Sequence, residues 1–312
     1  MHLNDAASKD DGGAGSVRSL EDEIARISGE ELVAAFGLGR APIWVQRLAQ
    51  VGIEGTARPL ARVFARFDRR IGEVGIDVAA REALVALGVR WTADAAAPPE
   101  GPLLVVSNHP GACDAFTLLA ALGRRDLAVF AAERSFLRTL PTVARHHLVL
   151  VPTVAEGRAA PHGAIAPLRH AARHLARGGA LLHFPAGGIE PDPVFLGPGD
   201  APLKPWQAGT GAFVRAVASA GGRVVVAAVG GVHSRRIKRS VVVRAAERRG
   251  VMTLALLLQA ALPDLGDTDA HVRFGAAQEA AELTRDSEEN VVLTARLKDQ
   301  ATALLGARPW PA

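Results

Sequence analysis

From residue 100 to residue 275, short apolar runs and helical patterns take turns, an alternation that leaves a chain few options besides a parallel or mixed sheet. The runs are "PLLVVS", "LAVFAA", "LVLVP", "ALLHF", "RVVVAAVG" and "HVRFG". Each is too short for a stable helix, and most are rich in Val and Leu and stop at a turn residue, which reads as a strand. Helical patterns lie between most of them. In "PHGAIAPLRHAARHLARGG", Pro161 stands near the first turn and Gly178 just past the end, the usual punctuation of a helix. Apolar strands joined by helices predict an α/β fold with a mixed, largely parallel sheet covered by helices on both faces. With 312 residues, 49% of them hydrophobic, the chain can bury one large core, or one core and a smaller helical lobe.

Residues 20–90 read as an N-terminal helical region and 91–312 as the α/β domain, closing on the helical pattern "ENVVLTARLKDQATALLG". Residues 1–19 read as a disordered leader. Their "MHLNDAASKDDGGAGS" is acidic and small where a secretory signal would be basic and then apolar. In "RPLARVFARFDRRIGEVG", Leu60, Val63, Phe64, Phe67 and Ile71 recur at helical spacing with Arg62, Arg66, Arg69 and Arg70 between them. Such a helix either packs on the main domain or rests an arginine-flanked face on anionic lipid.

Composition narrows the partners. The pI of about 9.9 suggests a polyanion binder, but the net charge is only +4, there is no Tyr, and Lys occurs at four positions, so little titrates between histidine and lysine. Aromatics at 4% are too sparse for base stacking, and nucleic acid is not an expected partner. One cysteine excludes an internal disulfide framework and a cysteine-based zinc site. The longest uncharged apolar run, "GVMTLALLLQAALP", stops before Asp264, short of the roughly 18 residues of a spanning helix. A cytoplasmic location follows, with peripheral contact at the inner face of the cell membrane still open.

The first strand ends in "LLVVSNHPGACDAF", which sets His109 and Asp114 five positions apart at a strand-to-helix joint. The spacing alone is weak, since 10 His and 16 Asp in 312 residues give roughly 0.5 such pairs by chance. The joint is the stronger signal, because active groups collect at the carboxyl ends of strands in open α/β sheets. Pro110 and Gly111 permit a turn that brings the ring back to the carboxylate, which would fix the imidazole tautomer and leave the other nitrogen as a general base. Equally, Asp114 fits a plain helix cap and His109 a turn residue. A second joint, "ALLHFPAGGIEPDP", has small residues at Ala186, Gly187 and Gly188 suited to close ligand approach by backbone N–H groups, followed by the carboxylate of Glu190.

Together the two joints resemble the glycerolipid acyltransferase family, which carries an Asn-His-x4-Asp block and later a Phe-Pro-Glu-Gly block. The resemblance spans about residues 85–300 and takes in "SNHPGACDAF", "HHLVLVP", "FPAGGIEPDP", "KPWQAGTGAFVRAV" and "RVVVAAVGGV". It implies a glycerol-3-phosphate acyltransferase-like fold and acyl transfer from acyl-CoA or acyl carrier protein to a hydroxyl of a lysophospholipid or other glycerol-based acceptor. It gives His109 the role of base and Asp114 that of its orienting partner, and it requires neither metal nor cofactor. Pro185, Gly187, Gly188 and Glu190 become substrate-binding candidates, the glycines through backbone donors to the acceptor or the developing oxyanion.

The chain departs from the family pattern in two places. Ala186 stands where the third block carries glutamate, and the nearest carboxylate is Glu190. The arginine that ends the second block and binds the acceptor's phosphate has no counterpart in register, leaving Arg145, Arg158 and Lys204 as basic candidates. A catalytically impaired lipid-binding protein on the same fold is the alternative that Ala186 favours. Cys113 as a nucleophile, and a metal cluster among His146, His147, His170, His174 and His183, are weaker readings. The basic run "HSRRIKRS" at 233–240 reads as a solvated loop, or else as a contact for headgroups or an acidic carrier protein.

Overall fold

The computed structural model describes residues 19–35, 43–94, 100–152, 165–248, 254–262, 267–285, 289–307 and 309–310. Residues 1–18 of the leader and the candidate Arg158 lie outside the described residues. In chain order the elements are α1 (Leu20–Ala35), α2 (Ile43–Val74), α3 (Ile76–Ala86), β1 (Val89–Ala93), β2 (Leu103–Ser107), α4 (Ala112–Leu122), β3 (Leu127–Ala132), α5 (Ser135–Arg138), α6 (Pro141–His146), β4 (Leu148–Val151) and α7 (Ile165–Ala176). They continue with β5 (Ala180–His183), α8 (Thr210–Ser219), β6 (Arg223–Gly230), α9 (Arg235–Arg239), α10 (Val241–Arg248), α11 (Leu254–Ala261), β7 (Thr268–Phe274), β8 (Gln278–Glu279), α12 (Ala280–Leu283) and α13 (Asn290–Gly306).

The strands form one eight-stranded sheet in the order β1-β7-β6-β2-β5-β3-β4, with β8 paired to β6 outside this path. From β6 to β4 every neighbouring pair is parallel, and β7 runs antiparallel to β6. Helices cover both faces. One core joins Leu103 and Val105 of β2 to α2, α3, α4 and α11. The other joins Leu104 and Val106 to α7, α8 and α13. Being covered twice is why β2 reads as an unbroken apolar run and is buried at all five positions.

The six expected strands are all present. Two more escaped the sequence reading: β8, of two residues, and β1, which follows α3 after a two-residue turn and extends the sheet by pairing with β7. Residue 90 therefore lies inside a strand. The amphipathic segment of α2 settles as a packing helix. Leu60, Phe67 and Ile71 are buried in the first core with Val63 and Phe64 packed against it, while Arg62, Arg66 and Arg69 face outward. Each buried side chain of that size contributes about 1.5–3 kcal/mol, so the face that the lipid alternative required is already used. Among the described residues no helix is long and apolar enough to cross a membrane.

The run 233–240 is likewise not a loop. Ser234 caps α9 by accepting from the Ile237 N–H at 3.3 Å, and Ile237 is buried against Val243 and Ala255.

Candidate active site

Parallel register brings the two joints together. Val106 of β2 stands opposite His183 of β5, and Ser107 opposite Ala227 of β6. The residues leaving all three strands thus emerge at one edge of the sheet. Asn108, fully buried, donates from its side-chain amide to the Val229 carbonyl at 2.8 Å and accepts from the Val229 N–H at 2.7 Å. It ties the end of β2 to β6 and fixes where the next residue points.

That residue is His109. Its Nδ1 lies 2.7 Å from Asp114 Oδ2, and its ring stacks on Phe184 at 4.5 Å between centroids. Asp114 is fully buried in the first turn of α4, where Oδ2 also accepts from the Gly111 N–H at 2.9 Å and Oδ1 from the Ala115 N–H at 2.6 Å. The carboxylate is therefore both the cap and the histidine partner. Since it accepts at Nδ1, the neutral ring carries its lone pair on Nε2. The side chain is 27% exposed, so the site is open to a substrate while its partner is sealed from water.

Burial works against a charged His109 ring, but the Asp114 carboxylate, through its charge and its hydrogen bond, together with the charge of Glu190, outweighs it. The His109 pKa stands above the ordinary histidine value. At Gly111 a Cβ would lie 2.8 Å from the His233 ring, whose Nε2 donates to the Pro110 carbonyl at 2.9 Å, so a side chain there would displace the brace behind the turn.

Glu190 takes a role that the sequence did not indicate. It is 2% exposed; Oε2 accepts the His109 N–H at 3.1 Å, and Oε1 accepts the Lys204 N–H at 2.9 Å and the Trp206 indole N–H at 3.3 Å. Its own N–H donates to the His109 carbonyl at 2.7 Å. Glu190 is thus a strut between the two joints and not an exposed acceptor contact. Burial raises its pKa, against the pull of these N–H donors and of His109. Asp192 locks the far end of the same loop by accepting from the Gly231 and Val232 N–H groups at 2.8 and 3.0 Å.

The other candidates separate by position. The Gly187 N–H is committed to the Phe184 carbonyl at 3.2 Å, and with φ at 67° Gly187 serves the turn, so it is not an oxyanion donor. Pro185 is buried, its carbonyl accepting the Gln207 N–H at 2.9 Å, whereas half-buried Gly188 has open space where a Cβ would sit. Lys204 is exposed and held beside the site through its backbone. Arg145 is exposed near the end of α6, which leads into the start of β4. That is the opposite end of the strand from the edge carrying His109, and β4 lies three strands from β2, about 14 Å across the sheet. It does not join the site. On the right edge, just past β3, stands exposed Arg134, which no spacing argument had singled out.

Cys113 is buried, and burial, helped by the Asp114 charge, pushes its thiol up to about 12, so it supplies no thiolate at neutral pH. The five histidines are scattered. His147 donates to the Leu127 carbonyl, His174 to the Ala180 carbonyl, His183 pairs with Thr210 inside the second layer, and His146 and His170 are exposed.

The family model for acyltransferases matches residues 88–243, half of the chain. The chain belongs to the acyltransferase family. Among solved structures it is similar to the 1-acyl-sn-glycerophosphate (LPA) acyltransferase PlsC from Thermotoga maritima, at 14% identity over 81% of this chain and 89% of that one, with a TM-score of 0.43. No curated protein matches the sequence.

Proposed function

We propose that this protein transfers a fatty acyl group from a thioester, acyl-CoA or acyl carrier protein, to a hydroxyl of a lysophospholipid or another glycerol-based acceptor. His109 Nε2 removes the hydroxyl proton as the oxygen bonds to the thioester carbonyl carbon. Asp114 holds the Nδ1 proton in place and stabilises the imidazolium that forms. The carbon–sulfur bond then breaks, the carbonyl re-forms, and the departing thiolate takes the proton from His109. Every electron pair is accounted for without a covalent enzyme intermediate, a metal or a redox partner.

The observation that carries this reading is the partly exposed His109 ring set 2.7 Å from a fully buried Asp114 at the carboxyl edge of the sheet. Lys204 and Arg134 are exposed basic side chains on that edge suited to an acceptor's phosphate. The test is acyl transfer by the purified chain from acyl-CoA and acyl carrier protein to a panel of lysolipids and glycerol derivatives. Transfer to one acceptor class, lost in Asp114→Ala, is expected. Binding of lipid without transfer to any acceptor would refute the reaction.

A further inference from the structure

Two valines next to each other in sequence stand out on the surface. Val241 is 82% and Val242 66% exposed, at the start of α10. The helix is amphipathic in an unusual sense: Val243 packs against Ile237 of α9 and Ala255 of α11 and Ala246 is buried in the first core, while Val241, Val242 and Ala245 form an outward apolar face. Arginines rim that face, with Arg239 exposed at the end of α9 and Arg244 exposed on α10. Over α9 and α10 the sequence carries Arg235, Arg236, Lys238, Arg239, Arg244 and Arg248 against Glu247 alone, and Glu247 is paired with Lys238. Arg236 lies 3.9 Å from Asp267.

We propose that the α9–α10 turn is a docking surface for an anionic lipid bilayer. Val241 and Val242 enter the headgroup and acyl boundary, and Arg239 and Arg244 meet lipid phosphates. Charge complementarity sets the sign of the partner. The valines favour a bilayer over an acidic protein, because at 82% and 66% exposure they protrude from the helix start as apolar area without a charge of their own. A bilayer interior asks for apolar area only.

The position of the turn gives the docking a purpose. α9 spans only about 7.5 Å, and its cap Ser234 directly follows His233, whose ring holds the Pro110 carbonyl in the turn beside His109. A bilayer met at α10 therefore lies beside the carboxyl edge of the sheet, where a lipid acceptor could reach the site without leaving the membrane. The docking claim itself needs no assignment of the reaction.

The test uses the full chain and no turnover: sedimentation with phosphatidylcholine vesicles, alone or mixed with phosphatidylglycerol. Wild type is expected to bind the mixed vesicles and to be released by salt. Val241→Ser with Val242→Ser, and separately Arg239→Gln with Arg244→Gln, are compared after their melting temperatures are shown to match wild type. Each arginine removed should weaken partitioning roughly fivefold, and the paired valine change should abolish most of the bound fraction. Unchanged sedimentation of either folded variant overturns the proposal. So does a wild type that ignores vesicles but binds an acyl carrier protein through Arg239 and Arg244. Failure in either form leaves the acyl-transfer assay unaffected.

Discussion

Replacing Glu190 by glutamine isolates the strut between the two joints. The native carboxylate accepts three N–H groups on two oxygens, from His109, Lys204 and Trp206, in a buried setting. Glutamine keeps one acceptor oxygen. Turned toward Lys204 and Trp206, it sets its NH2 against the His109 N–H; turned toward His109, it orphans two donors. The cheaper arrangement loses one hydrogen bond to a charged acceptor and buries one unpaired N–H, about 2–3 kcal/mol. For a chain of this size that is a fall in Tm of roughly 3–5 °C. The displaced peptide carries His109, so kcat should drop roughly ten- to a hundredfold as the base leaves its alignment. The charge itself gives a second readout. Glu190 helps to hold the His109 pKa up, so the acid limb of the kcat/KM profile should move to lower pH in Glu190→Gln. Thermal melts and a pH series on one preparation measure all three. An unchanged Tm would refute the strut, and a lowered Tm with unmoved kcat and acid limb would reduce Glu190 to a packing residue.

The remaining expectations are simpler. In wild type only the neutral His109 ring can act as base, and its pKa is raised, so kcat/KM should rise with pH through a limb above the ordinary histidine value of 6.5; Asp114→Asn, which removes the largest raising influence, should lower that limb. Cys113→Ala should keep most of its turnover, and iodoacetamide should fail to label the native chain, because the thiol is buried with its pKa near 12. Phe67→Ser should cost about 3–5 kcal/mol, seen as an early denaturant midpoint, since Phe67 is 5% exposed and packs edge-to-face on Phe116 at 4.9 Å.

Much of the site's frame was legible because it rests on local signals. A run such as "LLVVS" that is apolar at nearly every position and then stops announces a buried strand end, and His109 and Asp114 sit five positions apart at that end. The rest depended on distance in space. Glu190 looked like a ligand because its carboxylate follows a glycine turn, whereas its role comes from burial and from backbone donors 14 and 81 positions away in the sequence. Gly187 looked like a free donor because a sequence cannot reveal that Phe184 already holds its N–H. Arg145 was plausible by its place before a strand, and only the strand order puts it at the wrong end. "VRWTA" went unread as β1 because it follows α3 after Leu87 and Gly88, without the loop that sets off the other strands. Asn108 left one signal that went unused: an amide fully buried at the end of an apolar strand must find partners, and it found the Val229 backbone.

The measurement that bears most directly on the role given to His109 is the rate of acyl transfer by His109→Ala beside wild type, with circular dichroism and Tm confirming that both are folded. Loss of the base should lower kcat by roughly 10²–10⁴-fold, leaving acceptor binding nearly intact. A folded His109→Ala enzyme that turns over within a few-fold of wild type would contradict the mechanism.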